Sequence, residues 1–504
     1  MAGDVGVMML LPAALSVTGL VVAVVAREWF AVPGFVGVAI VAGGVGQALR
    51  RLSGPPGAGS VRQALITVAL GWLLVAAVAA VPFLASARIG AAVSGDVGSV
   101  AVFADPWSAL FEGMSGFTST GLTMVDAESE LPRALQWWRS VLEWTGGAGV
   151  VVFALAITGG EGGYDLYEAE GRSRRLGSDV HATARRIWRI LLVLTAGSVL
   201  LLLAAGASPW VAVNHGLTGI STGGMAITDD SFMGTSVAVR LAGIVVMTAG
   251  ALSYGSLLLL LGDRDVAGFL RLTQVRALGI ALGAGAAVVL GVQQVRAGDA
   301  GLLDAVFLWV SASTTSGFST NDVAALPVAS VLLLLAAMFV GGSAGSTSGG
   351  IKLRRAAWLG QALLRSPALV TSSSPDRRRW RADGHDVPPE EGRRAVVAAA
   401  ALVAAYAVTL TVGTLLLSLS TDGTLREVLF DALSALNTVG LSSGLTSSDL
   451  AWHAKAELMM LMWMGRLEVI AVAVLLAASV ARGRGRGRGA GAGRADGEPA
   501  PPKG

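Results

Sequence analysis

Four short polar phrases, each built on a glycine, recur between hydrophobic stretches of this 504-residue chain. They are Thr118-Ser119-Thr120-Gly121, Ile220-Ser221-Thr222-Gly223, Thr314-Thr315-Ser316-Gly317 and Asn437-Thr438-Val439-Gly440. Each follows an apolar segment too short to cross a bilayer and precedes one long enough to cross. Glycine opens backbone angles closed to other residues and lets the chain approach an ion closely. A ring of backbone carbonyls, braced by Thr and Ser hydroxyls, can replace the water around a dehydrated cation. One such cluster would read as a helix-packing motif. Four at matched positions read as re-entrant loops lining one ion site.

A second run suits a moving part. Gly341-Gly342-Ser343-Ala344-Gly345-Ser346-Thr347-Ser348-Gly349-Gly350 packs five glycines and four hydroxyl residues into ten positions, too many for a stable helix. Yet it interrupts a long apolar stretch. Irregular backbone at membrane depth survives only where it is buried in protein or faces a water-filled cavity. The run is therefore expected to form a gate beneath the filter phrases. Its near-match to a phosphate-binding loop fails, because Ile351 stands where the lysine is required, Lys352 comes one late and Leu353 replaces the hydroxyl residue.

Arg466 lies within the last apolar stretch. A charge there is expensive and usually faces the bundle interior or a cavity. Either it lines an ion path beside the glycine run, or it pairs with Glu468 or a carboxylate of a half-length helix. Arg139, after Trp137-Trp138, reads as an interfacial anchor with Glu143 nearby.

The elements that must hold these residues are hydrophobic helices. The chain is 53% hydrophobic and 14% charged, with a mean hydropathy of +0.66; soluble chains are about a quarter charged. Five segments, 50–62, 172–189, 264–276, 352–394 and the tail from 482, hold 28 of the 37 Lys and Arg. The alternate connections hold acids such as Asp126, Glu128, Asp229 and Asp449. This alternation places the basic segments and both termini in the cytoplasm. It accounts for the basic pI without nucleic acid. The absence of cysteine excludes disulfides and thiolate chemistry. The four scattered histidines show no metal-ligand spacing and flank no nucleophile, so an enzyme is not expected. The N-terminal run 5–26, which follows Asp4 and no basic residue, is expected to span rather than act as a cleaved leader.

The expected architecture is an all-α polytopic membrane protein. Residues 1–50 supply two transmembrane helices. Four units follow, each an outer helix, a short pore helix, a filter phrase and an inner helix: 51–160, 161–263, 264–365 (holding the loop 341–350) and 395–481. A polar cytoplasmic loop, 366–394, precedes the fourth unit, and a basic low-complexity tail, 482–504, ends the chain. Outer helices fall near 62–87, 185–206, 273–295 and 395–419, and inner helices near 132–159, 234–262, 326–365 and 453–481, for ten spans in all. The pore helices carry their own start signals. Asp105-Pro106 and Ser208-Pro209 place an N-cap before a first-turn proline, Asp299 can cap the third, and Thr424 with Glu427 forms a capping box. Each pore helix points its partly negative C-terminus at the filter, which suits a cation.

At these residues the chain resembles the Trk/Ktr/HKT superfamily of potassium transporters, in particular the TrkH-type membrane subunit. The resemblance spans about 60 to 481. It rests on Trp138-Arg139-Ser140 with Gly146-Gly147, the loop 341–352, Gly465-Arg466-Leu467-Glu468 and the four filter phrases. It implies four channel-like units around one pore in the cell membrane, with potassium as the substrate and no cofactor bound by this chain. Potassium would be held at the filter by Thr118, Ser119, Thr120 and Gly121, by Ile220, Ser221, Thr222 and Gly223, by Thr315, Ser316 and Gly317, and by Asn437, Thr438, Val439 and Gly440. The gate would consist of Gly341, Gly342, Gly345, Ser346, Thr347, Gly349 and Gly350 with Arg466. The resemblance also implies a homodimer and a cytoplasmic RCK-type (TrkA-like) nucleotide-binding regulatory subunit. Ser348 departs from a stretch that is often all glycine in relatives. An alternating-access cation symporter, moving potassium or sodium with protons, stays open as the other class of function.

Overall fold

The computed structural model of the chain describes residues 2–53, 61–95, 98–158, 180–296, 301–371 and 379–469. Two N-terminal helices, Ala2–Val25 and Val32–Leu52, pack as an antiparallel pair. They approach so closely that a Cβ on Gly6 would stand 2.7 Å from the Gly46 carbonyl oxygen, and one on Gly46 2.8 Å from that of Gly6. The pair is fastened to the first unit. The Glu28 carboxylate, in the turn between the two helices, accepts the Arg133 and Ala134 backbone N–H groups at 2.7 and 2.9 Å. It thereby caps a helix that begins more than a hundred residues later.

The four units follow in order. The first has an outer span built from Val61–Ala79 and Val81–Ser94, a pore helix Pro106–Thr118 and an inner helix Arg133–Thr158. The second has Val180–Ala204, Pro209–Ile220 and Val237–Gly250. The third has Thr273–Arg296, Leu302–Thr314 and Val328–Val340, continuing as Leu353–Thr371 after the glycine-rich run. The fourth has Pro389–Ser420, Leu425–Leu436 and Trp452–Arg466.

Three of the expected caps form. Asp105 accepts the Trp107 and Ser108 N–H groups, Ser208 accepts that of Val211, and Thr424 with Glu427 closes a reciprocal capping box. Asp299 lies outside the described residues; the third pore helix begins after Gly301.

The third inner helix is interrupted at the glycine run as expected, but the inner helices otherwise depart from the expected ten long spans. Six described helices are long and apolar enough to cross a membrane, or seven if one bent pair is counted as a span. That pair is Val237–Gly250 with Tyr254–Gly262, bent by 104°. The first inner helix carries Arg133, Arg139 and Glu143, the third is split by the glycine run, and the fourth ends in a turn after Arg466. Residues 470–481 of the expected fourth inner helix lie outside the described residues, as does the tail from 482. Within the segment read as a polar loop, the helix from Leu353 runs on to Thr371, and an antiparallel hairpin pairs Trp380–Ala382 with His385–Val387. Arg365 stacks its guanidinium 3.7 Å from the centre of the Trp380 ring, which ties hairpin to helix. Arg379 and Arg381 beside Asp386 hold its exposed carboxyl below the usual carboxylate range.

Polarity is arranged inside out. Leu200, Ile280, Leu332 and Leu419 on the periphery are 61–77% exposed, whereas every non-glycine residue of the four filter phrases is at most 1% exposed. Apolar surface outside and hydroxyls inside is the distribution a hydrocarbon solvent selects.

Candidate functional site

The site begins where the four pore helices end. At each end one residue takes a left-handed conformation, which non-glycine residues rarely adopt. These are Ser119, Thr222, Thr315 and Thr438, with φ of 53°, 51°, 55° and 48°. The next backbone N–H turns back to the carbonyl five residues earlier. Thr120 donates to Ser115, Gly223 to Thr218, Ser316 to Ser311 and Val439 to Ser434, all at 2.9–3.0 Å. Then comes a glycine of positive φ in each unit: Gly121 (92°), Gly224 (73°), Gly317 (76°) and Gly440 (96°).

This fourfold match corrects the register of the second phrase. The residues equivalent to Thr118-Ser119-Thr120-Gly121 are Ser221-Thr222-Gly223-Gly224, one later than the sequence suggested. Gly223 occupies the position of Thr120, and Ile220 is the last residue of its pore helix. The cap-to-glycine interval carried the signal. From Asp105 to Gly121 and from Thr424 to Gly440 it is 16 residues, and from Ser208 it is 16 only to Gly224.

The four loops meet on a common axis, and the glycines show how. A Cβ on Gly121 would stand 2.0 Å from the carbonyl oxygen of Gly223, and one on Gly224 1.8 Å from that of Ser316. On Gly317 it would stand 2.2 Å from the Val439 oxygen, and on Gly440 2.4 Å from the Thr120 oxygen. Each unit thus presses its glycine against the carbonyl of the next, and the fourth closes on the first. The carbonyls of Thr120, Gly223, Ser316 and Val439 form the ring.

Residues 341–350 lie directly against this ring and are buried. The Gly349 N–H donates to the Thr315 hydroxyl at 2.7 Å, and a Cβ on Gly349 would stand 1.8 Å from the Asn437 carbonyl oxygen. The Thr347 hydroxyl reaches the Ile220 and Gly250 carbonyls at 3.2 and 3.1 Å and accepts from the Thr222 hydroxyl at 3.1 Å. Ser346 and Ser348 bond each other through their hydroxyls, and the Lys352 ammonium donates to the Ser348 carbonyl. Gly341 and Gly342 sit at the loop's entry, where a Cβ would meet Gly349 and Ser348. The loop also explains the bend in the second inner helix. Ser343 N–H donates to the Ala251 carbonyl and Tyr254 N–H to the Gly345 carbonyl, both at 3.0 Å. Backbone groups freed by the bend are satisfied by the loop.

Arg466 comes to the same place. It donates to the Thr347 carbonyl at 2.8 Å, and to the Gly146 and Gly147 carbonyls of the first inner helix at 2.8 and 2.5 Å. Glu468, offered as its partner, is bound by Arg355 at 2.6 Å. Arg139 is not an interfacial anchor. It is 1% exposed, its Nε meets the Glu112 carboxylate at 2.7 Å, and its Nη1 donates to the Ala226 carbonyl at 2.8 Å. Glu143 instead accepts the Met225 N–H at 3.0 Å. The first inner helix therefore holds the loops of both the first and second units. Glu112 was not singled out from the sequence, and Glu143 was read only as a neighbour of Arg139, because a carboxylate in an apolar helix shows its role only through a partner far along the chain.

Four loops closing a carbonyl ring inside an apolar helical shell fit a multi-pass membrane protein. The family model described as TrkH, cation transport protein, matches residues 88–483, and the chain belongs to that family. It is 28% identical over 412 residues to an uncharacterized cation transporter of Methanocaldococcus jannaschii, covering 81% of each chain. It is 29% identical to the Trk system potassium uptake protein TrkH of Vibrio parahaemolyticus over 81% of this chain and 84% of that one. The TrkH of Halomonas elongata is 35% identical over a shorter stretch, half of this chain and 54% of its own length. The crystal structure of the potassium transporter TrkH from Vibrio parahaemolyticus superposes with a TM-score of 0.80 at 27% identity, covering 94% of this chain and 98% of that one.

Proposed function

We propose that this chain takes up potassium across the cell membrane through a single axial pore. The carbonyls of Thr120, Gly223, Ser316 and Val439 select the ion. The ring of four glycines, each against its neighbour's carbonyl, is the observation that carries this reading. Those contacts leave no room for side chains, so the oxygens can converge on a dehydrated cation. The relatives' names supply the ion: the similar proteins from Vibrio and Halomonas are potassium uptake proteins.

In this reading residues 341–350 with Arg466 are the gate. The loop blocks the path below the ring, and Arg466 anchors it through the Thr347 carbonyl while holding the first inner helix through Gly146 and Gly147. Opening requires those bonds to exchange for others. An RCK-type (TrkA-like) nucleotide-binding subunit on the cytoplasmic side, and a second copy of this chain, complete the assembly. Both termini face the cytoplasm, and this chain binds no cofactor of its own.

The test is ion flux from purified protein in liposomes. Rubidium should run down its gradient without a second substrate, faster than sodium, and substitution at Gly121, Gly224, Gly317 or Gly440 should erode that preference. Uptake that stops when a proton gradient is collapsed, with the cation gradient intact, would favour coupled transport instead.

A further inference from the structure

Registering the units on Gly121, Gly224, Gly317 and Gly440 exposes a second repeat that no phrase in the sequence announces. Nine residues before each glycine, on the pore helix, stand Glu112, His215, Leu308 and Asp431. Three residues after each glycine stand Met124, Ile227, Thr320 and Ser443. In three units these two positions are joined. Glu112 Oε2 accepts the Met124 N–H at 3.2 Å, His215 Nε2 accepts that of Ile227 at 3.3 Å, and Asp431 Oδ1 accepts that of Ser443 at 2.7 Å. All three side chains are buried.

Hydroxyls strengthen the carboxylate ties. Thr123 donates to Glu112 at 2.9 Å, and Ser442 and Ser443 each donate to Asp431 at 2.8 Å. The first tie is also locked to the second unit, since Arg139 bridges Glu112 and the Ala226 carbonyl. The third unit has no such acceptor. Leu308 faces its own core cluster, and the Thr320 hydroxyl bonds the Asn321 side chain at 3.0 Å and, of the pore helix, only the main-chain carbonyl of Asp304, at a longer 3.4 Å.

We propose that Glu112, His215 and Asp431 are positioning residues for ion selection. Each ties the strand leaving the filter back to its pore helix, fixing where that unit's carbonyl points, and the third unit is the compliant quarter of the ring. The inference rests on the reading of the carbonyl ring as a potassium filter. The physics favours the ties as rulers. A buried carboxylate accepting several N–H and O–H donors forms short, charge-assisted bonds whose geometry tolerates little displacement. A strand held at both ends of a three-residue span cannot breathe to fit a smaller ion.

The experiment gives two of the tied units the residue that the third already has. Reversal potentials would be measured for Asp431→Leu, His215→Leu and Asp431→Asn, with thermal unfolding recorded for each. Asp431→Leu should lower potassium preference over sodium by about tenfold, a shift typical of losing one well-made interaction. Asp431→Asn, which keeps an acceptor oxygen, should retain most of the preference. Should Asp431→Leu not fold, His215→Leu decides. Its ring lies among Phe232 and Phe318, so an apolar group can replace it without stranding a charge. A folded His215→Leu or Asp431→Leu protein that loses thermal stability but keeps its preference overturns the proposal. Gly440→Ser in the same assay separates the two ideas: if it too leaves preference intact, the filter reading itself has failed.

Discussion

At Gly224 a side chain is barred twice, once by a φ of 73° and once by the Ser316 carbonyl oxygen 1.8 Å from where its Cβ would be. At Gly223 the obstacle is different. A Cβ there would meet the end of the Glu143 side chain at 2.4 Å, and the backbone angle is ordinary. The two neighbours should therefore separate in experiment. Gly223→Ala should be partly rescued by Glu143→Asp, which draws the carboxylate back, whereas Gly224→Ala should resist rescue. Potassium-to-sodium permeability ratios read the outcome, with a loss of about tenfold expected at Gly224. Equal rescue at both positions would return the second phrase to the earlier register. Glu128, half-buried in the outer connection after the first filter loop, offers a pH test. Burial pushes its carboxyl up from 4.5 to about 7, against the pull of the Arg139 charge. The folded protein thus holds this proton more tightly than the unfolded chain does. The resulting stability is fully present below pH 4.5 and is lost as pH rises through 7. Glu128→Gln should flatten the stability profile between those values in thermal unfolding. An unaltered profile would mean that the group ionises freely.

Among the elements, the split third inner helix carries the loop proposed above as the gate. Its loop is held by bonds of graded strength: three guanidinium bonds at Arg466 and a shared set of neutral bonds at the Thr347 hydroxyl. Neutral bonds contribute ~0.5–1.5 kcal/mol net and those to charged groups ~1.5–3. If the loop is the gate, basal rubidium flux without the cytoplasmic partner should rise in the order wild type, Thr347→Val, Arg466→Ala. The first step is roughly two- to tenfold. Arg466→Lys should fall between wild type and alanine, because a point charge cannot span carbonyls on two elements as a planar fork does. Monodisperse variants that all conduct at the wild-type rate would reduce the loop to a connector.

For the whole molecule, the decisive contact is where the ring closes. Gly440 meets the Thr120 carbonyl although the two lie 320 residues apart. Lys455, on the fourth inner helix, secures that seam. Its ammonium donates to Asp105 at 3.0 Å, to Ser108 at 2.9 Å and to the Ser448 carbonyl at 3.0 Å. Asp105 is also the cap of the first pore helix, so one cation serves both a helix start and the junction of the last unit with the first. Lys455→Met should lower thermal stability. The loss should stay below the ~3–5 kcal/mol of a fully buried pair, because the Asp105 side chain is 41% exposed. A variant as stable as wild type would place the strength of the seam in the packing of Trp107 on Trp452, whose rings lie 5.2 Å apart.

Much of this was legible in the residues alone. Helix spans, pore-helix caps, fourfold recurrence and the glycine-rich interruption all follow from interactions within a few residues of each position. Hydrophobic runs, an Asp or Ser before a proline, and a density of glycine act locally and are written locally. Other features needed the assembled molecule. Gly223 and Gly224 are adjacent and alike; the 16-residue interval from Ser208 points to Gly224, and the Ser316 carbonyl of the next unit shows why that one must lack a side chain. Arg139 looked like a surface anchor until Glu112 and Ala226 arrived from two other elements to bury it. The bend after Gly250 has no breaker strong enough to announce it; it exists because the glycine loop, a hundred residues on, satisfies the backbone groups that the bend releases. The sequence by itself determined most helix starts, the half-length pore helices and the glycine-rich break. Only the tertiary structure decided which segments meet, because the energy of a contact between units depends on both surfaces and leaves no mark on either one alone.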